Sequence, residues 1–557
     1  MAQINRGSDL VVQALARAGV KRIFTLSGNH IMPLFDAALD ANIELLHTRH
    51  EAAAVHMADA WGRLTGEAGI ALVSGGPAHG NAISALYTAQ MSESPVVLLS
   101  GHAPTDQLGF GSFQEMRQAE MAAPVTKASW TSTKVDALGQ DIARAIRTAR
   151  EGRPGPVQLS LPVNLLTAKA DAETLPEAGS FLPHAMLLKA GEGKAILQRI
   201  TAASRPLILT GPVSLTRLGH ARMRTLEEAT GIPVVGMESP RGTNDPSLGA
   251  FAEMLAQADC VLLIGKRMDF TLGFGRAPAF APACEFMHVD AETTELERTS
   301  RSLGDRLVAS ATADAFSAMA ALAAAAAKPR SEHDAWCAQV REAIQYRPAA
   351  WSGATSSESG RLHPAQICAP LQSLLDSHPD SVLLSDGGEF GQWAQACLSA
   401  PHRLINGPAA AIGSVLPMAL AARVAQPEAP VIALMGDGTI GFHVAEMDTA
   451  VRYRLPFVAV VGNDARWNAE YQIQLKQYGQ DRLVGCELLP TRYDLVAAAF
   501  GAHGEHVDSA DALLPAALRA QQSGLPACLN AVMEGVPAPI VKRPQLQANP
   551  TVSVPIP

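Results

Sequence analysis

The chain has 557 residues, of which 48% are hydrophobic and 17% charged, and its formal net charge is −9. The acidic balance, without any block of Lys and Arg, argues against a nucleic-acid partner. No apolar run approaches the roughly 18 residues that a membrane-spanning helix needs, so we expect no membrane partner. At about 100–200 residues per domain the length predicts three domains, and the high apolar content favours an oligomer.

The N-terminal stretch MAQINRGSDLVVQALARAG carries Asp9 within an apolar pattern of helical period. This pattern predicts an amphipathic helix and not a signal peptide. The seven cysteines are dispersed along the chain and form no C-x-x-C pair. Their distribution indicates reduced thiols in the cytoplasm and no zinc site.

Three sets of short apolar runs alternate with helical patterns. The first set is KRIFTLSG, AGIALVSG, SPVVLLSG and GPVQLSLP, and the second is RPLILTG, IPVVGMES, ADCVLLIGKR and CEFMHVDAE. The third set is SVLLSDGGEF, APVIALMGDG, LPFVAVVGND and PACLNAVMEG. Continuous apolar strands between helices indicate parallel sheets that are covered on both faces. The predicted fold is therefore α/β with three doubly wound parallel-sheet domains, at residues 1–166, 185–344 and 362–557, joined by linkers near 167–184 and 345–364.

Two acidic positions follow neighbouring strands of the third set. Asp437 lies between Gly436 and Gly438 directly after APVIAL, and Asn463-Asp464 follows LPFVAVV one helical crossover later. Because one crossover places two parallel strands side by side, we expect these strand ends to meet at one edge of the sheet. Glycines let the backbone turn and bring N–H groups close to an anion, and carboxylates are hard ligands for Mg²⁺. Each motif alone is usually a turn, but together they indicate a metal and phosphate site.

This combination resembles the motif of thiamin-diphosphate-dependent enzymes, in which G-D-G is followed some two dozen residues later by Asn. The resemblance implies thiamin diphosphate and Mg²⁺ as cofactors, with Asp437, the Asp464 side chain and the Arg466 backbone carbonyl as metal ligands. The ligand position is usually Asn in the family and is Asp here, which adds a negative charge beside the diphosphate. The resemblance, with SDGGEF as the second cradling turn, further implies diphosphate contacts by Gly387, Gly388, Glu389, Gly438 and Thr439.

The other end of the cofactor needs a carboxyl group beside its aminopyrimidine ring. The segment LLHTRHEAAAVHMADAWGRLTG resembles the family's activating segment, which implies that Glu51 helps the exocyclic nitrogen to take the proton from thiazolium C2. Without the resemblance, a Glu in a first helical turn indicates only favourable helix-dipole chemistry. The segments SGGPAHGN and AAAIGSVLPMALAARVA also resemble family segments. They imply that Gly76 and Asn81 shape the pyrimidine pocket, that Ile412 is the wedge that bends the cofactor, and that the Ala410 carbonyl lies near the 4′-amino group.

Glu51 and Asp437 fall in different predicted domains, so the cofactor must lie between the two. In the family these two domains come from different subunits. The resemblance therefore implies a homodimer or homotetramer with active sites at the subunit interface.

The first-domain stretches LSGNHIMPLFDAAL and FQEMRQAEMAAPVTKASW resemble acetolactate synthases and benzaldehyde lyases. They imply that His30 and Gln114 are catalytic residues that face the substrate, and that Asn29 lines its pocket. The stretch ARWNAEYQIQL, at 465–475, would form the other wall of this pocket with Ala469 and Ile473. Acetolactate synthases use an Asp-Arg pair in the middle domain to hold a second keto acid. Here the matching stretch has Asp269 followed by Phe and Thr, with Arg267 as the preceding basic residue.

The predicted function is a thiamin-diphosphate-dependent carbon–carbon lyase or carboligase. Its substrates would be 2-keto acids, aldehydes, 2-hydroxy ketones or acyl-CoA compounds, and it would act through a C2-carbanion/enamine intermediate. One alternative is a 2-hydroxyacyl-CoA lyase or an oxalyl-CoA decarboxylase-like enzyme, whose CoA would need cations such as Lys266, Arg267 or Arg276. Two further alternatives are an acetolactate synthase and a non-catalytic cofactor-binding paralogue. The middle domain has no G-x-G-x-x-G loop that would indicate flavin or nicotinamide binding.

Overall fold

The computed structural model describes residues 4–327 and 331–544 of the chain. It contains three sheets of six, five and six strands, and every pairing between these strands is parallel. Helices alternate with the strands along each sheet. The predicted α/β fold with three doubly wound sheets is therefore confirmed. The predicted domain boundaries stay predictions, and residues 1–3 and 545–557 of the predicted first and third domains lie outside the described residues.

The first sheet has the strand order β2-β1-β3-β4-β6-β5. Its strands are Arg22–Thr25 (β1), Glu44–His47 (β2), Gly69–Val73 (β3), Val96–His102 (β4), Ala128–Thr131 (β5) and Val157–Pro162 (β6). Its helices are Gly7–Arg17 (α1), Met32–Asp40 (α2), Glu51–Thr65 (α3), Pro77–Met91 (α4), Gln118–Ala122 (α5), Leu138–Arg150 (α6) and Val163–Thr167 (α7). Helix α1 confirms the helix predicted from the N-terminal stretch.

The central sheet has the order β11-β10-β9-β7-β8. Its strands are Pro206–Thr210 (β7), Val234–Gly236 (β8), Cys260–Ile264 (β9), Glu285–Asp290 (β10) and Leu307–Thr312 (β11). Its helices are Ala190–Ala202 (α8), Arg217–Thr230 (α9), Phe251–Leu255 (α10), Thr293–Leu303 (α11), Ala315–Ala325 (α12) and Asp334–Gln345 (α13).

The third sheet has the order β13-β12-β14-β15-β17-β16. Its strands are Val382–Ser385 (β12), His402–Ile405 (β13), Val431–Gly436 (β14), Val458–Asn463 (β15), His503–Val507 (β16) and Ala527–Val532 (β17). Its helices are Pro364–Cys368 (α14), Gln372–Leu375 (α15), Gly388–Cys397 (α16), Val415–Ala425 (α17), Asp437–Ile440 (α18), Glu446–Arg452 (α19), Asn468–Tyr478 (α20), Tyr493–Ala499 (α21) and Ala510–Gln522 (α22).

The first and third domains of one chain share a continuous apolar core. Helix α3 packs against α17, and residues 415–422 of α17 are all buried. Polar contacts extend this interface: Arg63 donates to the Ile405 carbonyl at 2.7 Å, and the Arg49 backbone N–H donates to Glu446 at 2.9 Å. The two domains therefore form one packed unit within the chain.

A buried ion cluster joins the first domain to the central one. Arg153 forms ion pairs with Glu93 of its own domain and with Asp290 at the end of β10, and it donates to the Gly265 carbonyl at 2.9 Å. The other carboxylate oxygen of Glu93 accepts the Val213 backbone N–H at 3.1 Å. Because both partners of these pairs are buried, the cluster locks the central sheet onto the first domain.

All seven cysteines are free thiols, and six of them are buried. In the described part of the chain, no helix has the length and apolar character required to cross a bilayer.

Candidate active site

The site predicted in the third domain lies at the carboxyl edge of its sheet. Strands β14 and β15 pair in parallel as far as Gly436 and Gly462, so their ends lie side by side as expected from the sequence. Asp437 follows β14 and opens α18, and Asp464 follows β15. The two carboxylates are thus brought to one point by adjacent strands.

Both carboxylates are buried and incompletely satisfied. Asp437 and Asp464 each have one oxygen, Oδ2, with no hydrogen-bond partner among the described residues. The other oxygen of Asp464 accepts the Arg466 backbone N–H at 3.1 Å. Burial raises the pKa of both groups, and the charge of Asp437 raises the pKa of Asp464 further. Two buried carboxylate oxygens without donors fit a divalent cation, which would offset the cost of burying them.

The residue before Asp464 has a different role. The Asn463 amide donates to the Thr491 carbonyl at 2.8 Å and to Asn530 Oδ1 at 2.9 Å, and its oxygen accepts the Ala465 N–H at 3.2 Å. The amide nitrogen and oxygen of Asn463 are therefore both hydrogen-bonded within the protein at the strand end. Asp464 is the one of the two that lines the pocket.

A pocket of about 200 Å³ opens beside these carboxylates, and residues between 387 and 533 line it. It includes every predicted third-domain site residue except Ile473, which lies half exposed further along α20. The predicted residues that line it are Gly387, Gly388, Glu389, Ala410, Ile412, Asp437, Gly438, Thr439, Asp464, Arg466 and Ala469.

Asp386, which the sequence motifs did not single out, ties two loops of this pocket together. Its carboxylate accepts the backbone N–H groups of Gly387 at 2.7 Å and Gly413 at 2.9 Å. Complete burial raises the pKa of Asp386 to about 6. A side chain at Gly387 would meet Ile412 at 3.0 Å, so the glycine lets the isoleucine lie close to the cradling turn.

Both glycines that flank Asp437 were predicted to let the backbone turn, but the structure gives them different roles. Gly436 has an ordinary φ of −75°, and a Cβ added there would contact nothing within 4 Å. A Cβ at Gly438 would lie 2.6 Å from the Trp467 ring, which stands edge-on to Phe442. Gly438 is therefore required by the close approach of an indole that the sequence analysis did not identify.

In the first domain, Glu51 begins α3 directly after the N-cap residue His50. It is half-buried and accepts a hydrogen bond from Asn81 Nδ2 at 3.0 Å. Asn81 lies on α4, whose N-cap is Gly76. The structure thus brings together three of the predicted pyrimidine-pocket residues.

His30 and Gln114 lie near the same helix. His30 is buried, its Nδ1 is 3.3 Å from Ser74 Oγ, and its ring stacks on Phe113 at 5.9 Å. Burial lowers the pKa of His30, which keeps the imidazole neutral near pH 7. Gln114 has a positive φ of 56°, and a Cβ at Gly76 would lie 2.8 Å from its Cβ. The predicted pocket residue Asn29 is exposed.

A second glutamine, missed by the sequence analysis, holds this arrangement in place. Gln118 is 1% exposed, accepts the Gly76 N–H at 2.8 Å, and donates to the Gly101 carbonyl at 3.1 Å and to Ser160 at 3.0 Å. Its amide is fully bonded to backbone and side-chain groups of three elements. Gln118 therefore fixes the backbone at Gly76, which is the residue that Gln114 approaches closely.

The pocket that holds Asp437 and Asp464 is lined by third-domain residues. Among the described residues, none from the first domain lines the pocket that holds Asp437 and Asp464.

The central-domain cations predicted for a CoA nucleotide are mostly engaged elsewhere. Lys266 is buried and donates to Thr271 Oγ1 at 2.7 Å, and Arg267 Nε lies 3.5 Å from Glu295. Arg276 is exposed, with its guanidinium 5.9 Å from the Phe274 ring.

Comparisons with known families match part of each of the three sheets. Residues 5–121 match the N-terminal TPP binding domain of thiamine pyrophosphate enzymes, residues 194–314 match their central domain, and residues 386–531 match their C-terminal TPP binding domain.

Curated relatives match over most of their length. An acetolactate synthase large subunit of Mycobacterium tuberculosis is 31% identical over 94% of this chain and 95% of its own. The acetolactate synthase isozyme 3 large subunit of Escherichia coli is 30% identical, covering 82% of this chain and 81% of its own. A 2-hydroxyacyl-CoA lyase 2 of Caenorhabditis elegans is 29% identical, covering 93% and 88%.

Proposed function

The chain belongs to the thiamine pyrophosphate enzyme family, and we propose that it is a lyase or carboligase that breaks or forms a carbon–carbon bond next to a carbonyl group. Its proposed substrates are 2-hydroxy ketones, 2-keto acids or 2-hydroxyacyl compounds. One observation carries the proposal: Asp437 and Asp464 each have a buried carboxylate oxygen without a hydrogen-bond partner among the described residues. Both residues lie beside glycine loops in the part of the chain that matches a TPP binding domain.

These residues fit the cofactors that the family implies. Asp437, Asp464 and the Arg466 carbonyl would hold Mg²⁺, and the backbone N–H groups of the loops at 387–388 and 438–439 would hold the diphosphate. When bound, thiamin diphosphate supplies a thiazolium carbon that adds to a substrate carbonyl.

The first-domain residues would move the protons. Glu51, oriented by the hydrogen bond from Asn81, would hold a proton on its free carboxylate oxygen beside the aminopyrimidine ring. His30 is neutral near pH 7 because burial lowers its pKa, so its imidazole is available to exchange a proton with a substrate hydroxyl. The Phe113 ring and Ser74 hold the imidazole plane, and Gln114 would orient the same hydroxyl.

We further propose that two copies of the chain complete each site in a homodimer or homotetramer. Among the described residues, Glu51 and the other first-domain residues do not line the Asp437 pocket of the same chain, which supports this arrangement. Exposed aromatic rings beside both halves of the site, at Phe113 and Phe442, also support it, because they leave apolar surface for a second copy to cover.

A lyase is favoured over an acetolactate synthase by the central domain. The stretch Asp269-Phe270-Thr271 lacks the arginine that would hold a second keto acid, and the Thr271 N–H and hydroxyl both donate to Asp269 Oδ1, at 2.9 and 2.6 Å. Arg267, the preceding arginine, is directed to Glu295. A 2-hydroxyacyl-CoA lyase is the second candidate, favoured by the relative of that name that covers 93% of this chain.

The test combines one substitution with a product panel. The Glu51→Gln protein should lose about 10²–10⁴-fold in turnover, because it removes the proton-carrying group and keeps an acceptor for Asn81. It should retain the thermal stabilisation by thiamin diphosphate plus Mg²⁺. The matched control is Glu67→Gln, which changes an exposed glutamate paired with Arg150 and should leave turnover within about twofold.

Three substrates distinguish the reactions: pyruvate alone, benzoin and a 2-hydroxyacyl-CoA. Cleavage of benzoin or of the thioester supports the lyase, whereas acetolactate from pyruvate alone supports the synthase. No turnover of any substrate by the wild-type protein, or no stabilisation by coenzyme and Mg²⁺, contradicts the proposal.

A further inference from the structure

A second and wider cavity meets the proposed site from the side of the central domain. This cleft of about 1370 Å³ lies between the central and third domains, and residues 537–544 form part of its wall. Glu389 lines both the cleft and the smaller pocket beside Asp437. A molecule whose reacting carbonyl lies in the pocket can therefore extend past Glu389 into the cleft.

Arg241 lies at this junction on a turn that is held firmly in place. Its backbone N–H donates to Ser239 Oγ at 3.2 Å. The next residue, Gly242, has a positive φ of 54° and is so close to the Thr271 carbonyl that a Cβ there would lie 2.0 Å from its oxygen. Only glycine fits this conformation and contact, so the starting point of the Arg241 side chain is fixed.

The guanidinium itself is weakly engaged. The Arg241 side chain is 46% exposed, and its one charged partner among the described residues is Glu389 Oε2, at 3.9 Å from Nη2. That distance is too long for a hydrogen bond, and Glu389 Oε2 has no hydrogen-bond partner in the described part of the chain. The forked N–H groups of Arg241 are thus free to bind an anion beside Glu389.

The neighbouring arginines are not free in the same way. Arg543 is paired with Glu253 at 2.7 Å, and Arg267 lies beside Glu295. Lys476 and Lys542 also line the cleft, and both are exposed. Glu342 lines the cleft too and is exposed, so the cleft carries charges of both signs, and Arg241 is the cation that lies beside Glu389.

We propose that the cleft is an anion subsite and that Arg241 is a specificity-determining residue that binds the anionic group of the substrate. This inference rests on the proposed function, since it assumes that a carbonyl compound reacts in the pocket beyond Glu389. The shared chemistry is an oxyanion held by a planar guanidinium, and it has two sources. One is the carboxylate of a 2-keto acid, and the other is the phosphates of a CoA thioester.

The test measures binding in a background that does not turn over. The Glu51→Gln protein, loaded with thiamin diphosphate and Mg²⁺, is titrated with pyruvate, methyl pyruvate and coenzyme A, using tryptophan fluorescence because Trp467 lines the pocket. Adding Arg241→Met should weaken binding of pyruvate or coenzyme A at least tenfold and leave neutral methyl pyruvate unchanged. The anion whose binding is lost identifies the source.

The matched control is Arg217→Met, which removes an arginine that is 80% exposed and lies 3.5 Å from Asp380. It should leave all three affinities unchanged. The inference is overturned when Arg241→Met binds both anions as tightly as its parent, when it weakens methyl pyruvate equally, or when the parent binds neither anion. Failure of the proposed function is distinguished separately, by coenzyme-dependent stabilisation and benzoin cleavage in the wild-type protein.

Discussion

A methyl group added at Gly438 should destabilise the protein without its coenzyme, whereas the same methyl added at Gly436 should not. The new Cβ at 438 would lie 2.6 Å from two carbon atoms of the Trp467 ring. Carbon atoms pack best at about 3.5–4.0 Å, so the indole must move by roughly 1 Å. Overpacking of this kind costs about 1–3 kcal/mol, and the indole that moves lines the same pocket as Asp437 and Asp464.

The assay is thermal and urea unfolding of Gly438→Ala and Gly436→Ala, each with and without thiamin diphosphate plus Mg²⁺. The Gly438→Ala protein should lose about 1–3 kcal/mol of unfolding free energy and most of its coenzyme-dependent stabilisation. Gly436→Ala should match or exceed wild-type stability by up to about 1 kcal/mol, because its φ is ordinary and its Cβ meets open space. Equal stability of the two variants without coenzyme, or a greater loss at 436 under that condition, refutes the steric argument.

Two further predictions concern buried charge. Because burial raises the pKa of Asp386 to about 6, its contribution to stability is present below about pH 4 and is lost, by about 3 kcal/mol, as the pH rises to 6. Between pH 4 and 7, the free energy of unfolding measured in urea should fall less for Asp386→Asn than for wild type, even where the two proteins differ in overall stability. An equal pH dependence in both proteins argues against this reasoning. Arg153→Met should destabilise the protein by about 3–5 kcal/mol, because it leaves Glu93 and Asp290 buried without a counter-charge. Arg217→Met should stay within about 0.5 kcal/mol of wild type, and similar losses for both variants would contradict the argument.

The interior of each sheet was predictable from sequence because strands with neighbours on both sides and helices on both faces need continuous apolar runs. Strands β5, β11, β13 and β16, which lie at sheet edges, were not identified, whereas the edge strand β8 was, from the run IPVVGMES. Strand β16 carries His503 and Glu505, which pair at 2.7 Å, and β13 carries Arg403, which pairs with Glu238 of the central domain at 2.9 Å. Charged partners of this kind break the apolar run, so β13 and β16 lack the pattern that indicates an interior strand.

The same contrast holds at the site. Asp437 and Asp464 were predictable because each follows an apolar strand, and one crossover separates them. Asp386 and Gln118 were not predictable, because their roles come from hydrogen bonds to backbone N–H and carbonyl groups of loops that are distant in sequence. The need for glycine at 438 depends on where Trp467 packs, which is a tertiary contact without a local signature.

The shared core of α3 and α17 has a consequence for synthesis of the chain. Helix α3 ends at residue 65, and α17, which covers its apolar face, begins at residue 415. At about 5–20 residues per second, a ribosome needs roughly 20–70 s to make the intervening segment. Throughout that interval the nascent first domain carries an uncovered apolar helix face, so it is a natural client for chaperones until the third domain emerges.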